Sequence, residues 1–249
     1  YDSNKDIDYF NNHHQGNTAY VQAFLLQKIL GCIRLGRYRE GVISINESLK
    51  NIPEGTTIWF TAMYNRFFIL MQSGRYKEAN NVYQNIIIHN RYPQLVDKEN
   101  WIIGGAYLNY VIEKGLLKTE KQMKFRVGKF LNEVPEYSKD RRVKNIPILI
   151  AQILFMLHRK QTGKAIDRIE AIKQYCGRNL RYNEAVRSNS FIMALMEIPK
   201  CSFNKIAVTR RIERYVKRVK EVPLHQSGKN FDLELIPYEK LLGYTLESL

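Results

Sequence analysis

The sequence predicts an all-α protein, an α-solenoid of about five antiparallel helix hairpins closed by a C-terminal capping helix. Three observations carry this prediction. Apolar residues recur at helical spacing almost throughout, and no β-type alternation runs beyond a few residues. Breakers fall at regular places (Gly36, Pro53, Gly74, Pro93, Gly115 and Pro135) and leave segments of ordinary helix length between them. Gly36-Arg-Tyr-Arg-Glu-Gly-Val returns at position 74 as Gly-Arg-Tyr-Lys-Glu-Ala-Asn, a period of the length that marks stacked repeats.

The spacing predicts helices over 18–34, 39–51, 58–73, 76–90, 98–113, 119–133, 145–158, 163–178, 181–197 and 203–221, with a short one near 237–247. In the second, Val42, Ile45, Leu49 and Ile52 form the apolar stripe. In the third it is Phe60, Met63, Phe67, Leu70 and Met71. Gly36 and Gly74 can end their helices in the left-handed conformation without a Cβ clash. Gly104-Gly105 lies inside a helical pattern with no strand before it, so it reads as a close-packing point beside Trp101 and not as a phosphate loop. The run from Ile146 to Leu157 is the longest uncharged apolar stretch. It falls short of the roughly 20 residues that a membrane span needs, so no membrane partner is expected. Cys176-Gly-Arg is expected to mark a helix end.

At the Gly36 and Gly74 turns the chain resembles the tetratricopeptide-repeat family, degenerate in its consensus. Gly36 and Tyr38 match the family's inter-helix turn, Gly41 and Ser48 its small residues, and Pro53 its closing proline. Gly74, Tyr76 and Ala79 repeat the turn, Trp101 and Gly105 match the start of a third unit, and Thr162-Gly-Lys-Ala165 is what remains in the fourth. The resemblance covers residues 20–115 well and 116–222 by periodicity only. It implies a polar N-terminal extension over 1–17, a repeat domain over 18–222 and a capping segment over 223–249. It also implies a concave groove lined by the first helix of each pair, with Tyr64, Asn65, Phe68, Gln72, Tyr107 and Asn109 in or beside it, taking a protein or peptide. Repeat motifs are informative about architecture and silent on activity.

The charge is uneven. Residues 115–222 hold 25 Lys/Arg against 10 Asp/Glu, whereas residues 1–114 hold 12 against 10. On the helix 203–221, Val208, Ile212, Tyr215, Val216 and Val219 share one side, while Arg210, Arg211, Arg214, Lys217 and Arg218 cover the other. Arg141, Arg142 and Lys144 form a second cluster. These cations keep a long repeat soluble or meet an acidic partner, with nucleic acid a further alternative. The segment 231–249 changes to an acidic, amphipathic composition with Leu241, Leu242, Leu246 and Leu249. It is expected to cover the open face of the last hairpin; occupation of the groove or the basic patch is the alternative.

Catalytic and metal motifs are scarce. There is no His-Glu-x-x-His, Cys-x-x-Cys, Gly-x-Ser-x-Gly, P-loop or Gly-x-Gly-x-x-Gly pattern. Adjacent His13-His14 point apart and make a poor metal site. Three widely spaced cysteines (Cys32, Cys176, Cys201) form no disulfide framework and are expected reduced, in a cytoplasm. The N-terminal residues lack the pattern of a signal peptide, and Tyr at position 1 is expected of a piece of a longer protein. Neither enzymatic activity nor a cofactor is expected. A non-catalytic protein- or peptide-binding scaffold is the leading expectation. A nucleic-acid-binding repeat using residues 115–220, or a ligand-sensing module of a regulatory protein, stands as the alternative.

Overall fold

The computed structural model describes residues 18–89, 95–119, 125–132, 145–179, 186–226 and 234–249. Among these residues the protein is all-helical. In chain order the helices are α1 (Thr18–Arg34), α2 (Tyr38–Leu49), α3 (Thr57–Ser73), α4 (Tyr76–His89), α5 (Leu95–Glu113), α6 (Val127–Asn132), α7 (Asn145–His158), α8 (Thr162–Asn179), α9 (Val186–Lys200), α10 (Lys205–Glu221) and α11 (Tyr238–Glu247). Each of α1/α2, α3/α4, α7/α8 and α9/α10 is a hairpin. Successive hairpins touch through α1–α3, α3–α5, α5–α7 and α8–α9.

One backbone device recurs. The odd-numbered helices α1 to α9 are each followed by a residue in the left-handed conformation: Gly36 (φ 69°), Gly74 (81°), Gly115 (79°), Lys160 (58°) and Ser202 (50°). The amide of each donates to the carbonyl three residues back, and the next amide to the carbonyl five back. These paired bonds run from Gly36 to Ile33 and Arg37 to Cys32, Gly74 to Met71 and Arg75 to Leu70, and Gly115 to Ile112 and Leu116 to Val111. They continue from Lys160 to Leu157 and Gln161 to Met156, and from Ser202 to Pro199 and Phe203 to Ile198, with lengths of 2.8 to 3.2 Å. This pairing satisfies the carbonyls that a helix end leaves orphaned and turns the chain back on itself. Thr56 and Asn204 cap α3 and α10 through their side chains, accepting from the amides of Trp59 and Ala207.

Small residues let the helices approach. A Cβ on Gly41 would stand 2.7 Å from Ile69 Cδ1, and one on Gly104 would stand 2.7 Å from Phe67 Cε1. The Gly104-Gly105 pair is therefore a packing point against α3 and α4. Trp101 sits on it with ring centroids 5.4 Å from Phe67, 5.5 Å from Tyr64 and 6.1 Å from Tyr83. Helix α7 is buried along nearly its whole length, which explains its uninterrupted apolar run.

Three sequence expectations need correction. Of the helix expected over 119–133, Val127–Asn132 is helical while Thr119, Phe125 and Arg126 are not, and residues 120–124 and 133 lie outside the described residues. Cys176-Gly-Arg lies in the last turn of α8, which runs to Asn179, as a helix-end segment is expected to. Helix α9 continues past the expected end at 197 to Lys200, carrying Pro199 in its last turn, and residues 181–185 lie outside the described residues. Finally, the C-terminal segment does more than cover the last hairpin. Helix α11 packs on α7, α9 and α10, and its polar contacts reach back to Gln72, Tyr76 and Lys114.

The recurrent turn gives a direct test. Gly74→Val forces a β-branched residue into the left-handed region and is expected to cost about 1–2 kcal/mol or more. Chemical denaturation should show this as a lowered midpoint with an unchanged slope.

Candidate functional site

The most highly constructed part of the molecule lies where the C-terminal segment meets the hairpins. Arg187, in the first turn of α9, is buried with 4% exposure. Its Nε donates to Glu234 Oε2 at 2.9 Å and its Nη2 to Glu234 Oε1 at 2.5 Å. Nη2 also donates to both carboxylate oxygens of Glu239 at 2.9 Å. Nη1 donates to the carbonyls of Val219 and Val222 at 2.5 and 2.7 Å, beyond the middle of α10. All the fork's nitrogens are thus used, and one side chain ties α9, α10 and the C-terminal segment together. Two carboxylates hold the guanidinium charged against the burial that opposes it. The amide of Tyr238 adds a donor to Glu234 Oε1 at 2.8 Å.

The remaining contacts with this segment come from other hairpins. Gln72, at the end of α3, donates its Nε2 to the Glu234 carbonyl and accepts from Tyr38 at 3.2 Å. Tyr76 and Tyr244 share a hydrogen bond of 3.3 Å between their hydroxyls. Lys114 Nζ donates to Ser248 Oγ at 3.0 Å and lies 3.3 Å from Glu247. Lys160, the left-handed residue after α7, donates to the Ser248 carbonyl at 2.6 Å. Tyr238 is fully buried and stacks on Phe191, with ring centroids 4.4 Å apart. Burial raises the Tyr76 and Tyr238 phenols well above their ordinary range, so both stay protonated.

A cleft of about 340 Å³ opens beside this cluster. It is lined by Arg34, Gly36 and Tyr38 around the first hairpin turn, by Lys220 in the last turn of α10 with Pro223 and His225 beyond it, and by Arg187, Glu234 and Glu239.

The residues expected to line an open groove divide. Gln72 meets the C-terminal segment. Tyr107 is completely buried, its hydroxyl donating to the Pro147 carbonyl at 3.1 Å, and Phe68 is also core, so neither faces a free surface. Tyr64 is half-buried against Trp101. Asn109, also half-buried, donates to the Gly105 carbonyl of its own helix at 2.8 Å, and Asn65 is half-buried on α3. At Phe68, Gln72 and Tyr107 the expectation of an open concave face is corrected for a physical reason, whereas Tyr64, Asn65 and Asn109 keep part of their surface exposed. The apolar faces of α3, α5 and α9 need cover, and neighbouring helices together with residues 234–249 supply it.

On α10 the cations lie as their spacing requires. Val208, Ile212 and Val219 are buried, Tyr215 and Val216 are half-buried, and Arg210, Arg211, Arg214, Lys217 and Arg218 are exposed. Arg211 Nε donates to Glu197 at 2.8 Å, and the Arg214 guanidinium stands 4.6 Å over the Tyr215 ring. Arg141, Arg142 and Lys144 lie outside the described residues. Burial pushes the Cys176 thiol up to about 12 and also raises Cys32, so neither offers a thiolate at neutral pH. Among the described residues no cluster of three His, Cys, Asp or Glu could hold a metal ion.

Arg187, Glu234, Glu239, Lys114 and Lys160 were not singled out by sequence. For Arg187 a signal existed: it stands four residues before Phe191 and eight before Leu195, in the apolar stripe of α9. A cation in a buried stripe announces a buried partner. No protein-family model, curated protein or solved structure matches this chain.

Replacing Arg187 with Met leaves Glu234 buried without its partner. The expected cost is about 3–5 kcal/mol, seen as a fall in the thermal midpoint on the order of 10 °C. A second test concerns Glu197, which is buried with 2% exposure. Burial pushes its carboxyl up, but hydrogen bonds from Lys200 and Arg211 more than reverse this and hold it below the ordinary range. Its contribution is therefore present above the ordinary glutamate value and fades as pH falls through the depressed one. Glu197→Gln should flatten the acid limb of a stability–pH curve while leaving the slope between pH 6 and about pH 8 unchanged.

Proposed function

We propose that this chain is a non-catalytic scaffold of tetratricopeptide-like hairpins stacked as a solenoid, binding a protein or peptide across the ends of its odd-numbered helices. One observation carries the reading. Residues 234–249 of the chain itself lie against the ends of α3, α5 and α7, and part of what holds them is side-chain donation to main-chain carbonyls, from Gln72 to Glu234 and from Lys160 to Ser248. Main-chain recognition with apolar seats between the polar contacts is how helical grooves take peptide segments. The five-fold recurrence of one turn supports the repeat architecture.

A second reading uses α10. Its outward face carries exposed Arg210, Arg214, Lys217 and Arg218, with Lys217 3.8 Å from Glu221, the surface an acidic protein or a nucleic-acid backbone would meet. The aromatic residue beside them, Tyr215, is half-buried and already covered by Arg214, which leaves little stacking platform for bases. An acidic protein therefore suits this face better.

The readings separate in one experiment. Immobilised chain is used to capture partners with and without nuclease, alongside a Lys160→Gly variant, which suits the left-handed turn and removes the side-chain donor, and an Arg210→Glu/Arg214→Glu variant. The scaffold reading expects nuclease-resistant capture that Lys160→Gly weakens. Capture abolished by nuclease and by the charge reversal would replace it with the nucleic-acid reading, as would a mobility shift with random RNA or DNA at about 50 mM salt.

A further inference from the structure

We infer that the seat filled by residues 234–249 is a peptide-binding site whose ligand is a partner's amphipathic helix with the same chemistry. That ligand has a carboxylate ahead of the helix for the Arg187 fork, then an aromatic residue and two leucines at the spacing of Tyr238, Leu241 and Leu242. The inference rests on the scaffold reading and adds the ligand class and the competition that governs access.

The seat's polar groups are spread over the molecule. Gln72 comes from α3, Lys114 from just past α5, Lys160 from the α7–α8 turn and Arg187 from α9. Much of what they hold is generic to a peptide, namely the carbonyls of Glu234, Ser248 and Leu249, and three glutamates supply the distinguishing charge, Glu234 and Glu239 on Arg187 and Glu247 beside Lys114. The apolar part is a helix-in-groove arrangement, with Tyr238, Leu241 and Leu242 each at most 2% exposed.

Lys160 points the same way. The turns after α1, α3 and α5 place glycine at the left-handed position, where a side chain is unfavourable, while the turn after α7 places Lys160 there and that after α9 Ser202. Nothing in the turn requires a lysine, since its backbone bonds are those made at the glycines. What its side chain adds is the 2.6 Å contact to Ser248. Lys160 thus takes a conformation that costs a side-chain residue more than glycine, and its side chain grips the segment.

The resident segment has an advantage over any competitor, because tethering gives it an effective concentration on the order of millimolar. A free peptide therefore competes poorly with the intact chain, and access opens when the resident segment is weakened or the partner is also held elsewhere. Leu242→Ala weakens the occupant and leaves the seat unchanged.

The test uses the full chain and a fluorescent synthetic peptide of residues 234–249, read by anisotropy with far-ultraviolet circular dichroism on the same samples. The Leu242→Ala chain should bind the peptide at least about tenfold more tightly than the unaltered chain. A peptide carrying Glu234→Gln should bind about tenfold more weakly than the native peptide, and a scrambled peptide should not bind. If Leu242→Ala loses its helical signal, Ser248→Ala, which removes only the hydroxyl contacts of that residue, must show a gain of the same sign. No gain in a folded variant, or equal binding of the scrambled peptide, overturns the inference. A chain that refuses the peptide yet still captures a partner in the nuclease-resistant manner described above loses this inference and keeps the scaffold reading.

Discussion

The architecture depends on a backbone constraint: each odd-numbered helix from α1 to α9 must stop at a residue that accepts a positive φ. Only from that conformation can two consecutive amides reach back to the carbonyls of the last turn while the chain reverses. Glycine meets the requirement at 36, 74 and 115, and lysine and serine at 160 and 202. Because the hydrogen bonds are the same each time, the hairpins leave their turns in similar ways. Side-chain size then decides how closely they pack, as at Gly41 against Ile69 and Gly104 against Phe67.

A row of hairpins built in this way has apolar faces that the hairpins alone do not cover. Here the cover comes from within the chain. The segment beginning at Glu234 brings Leu235, Ile236, Tyr238, Leu241 and Leu242 into the interior, and the Arg187 cluster fixes where it enters. Burying one cation and a carboxylate together is costly unless every donor is used. Arg187 meets that condition by spending its remaining hydrogens on the carbonyls of Val219 and Val222. The same side chain therefore closes the end of α10 and anchors the segment that follows it.

Most of the helical layout was legible in the sequence, and the reasons differ by element. Helices α1 to α4 carry strong periodic stripes between glycine turns, so their bounds could be read within a residue or two. The third turn looked weak and the fourth nearly absent, because the eye follows glycine and consensus residues whereas the fold needs only the backbone conformation, which Lys160 and Ser202 also adopt. The α10 cations were legible because an exposed face follows directly from helical spacing. The groove was not. Tyr107 and Phe68 have side chains equally suited to a peptide surface and to a core, and their burial depends on which distant segments pack over them. The decisive one is separated from Gln72 by 162 positions, a pairing that local periodicity does not encode.

That separation in sequence also bears on how the molecule assembles. Contacts within a hairpin close short loops and form quickly, whereas joining Gln72 to Glu234 closes a very long one and depends on several hairpins already being in register. Docking of the final segment is thus expected to come late in folding, after the helical content is largely established. Until then the hydrophobic seat is open to solvent and to neighbouring chains, a window in which aggregation competes with completion.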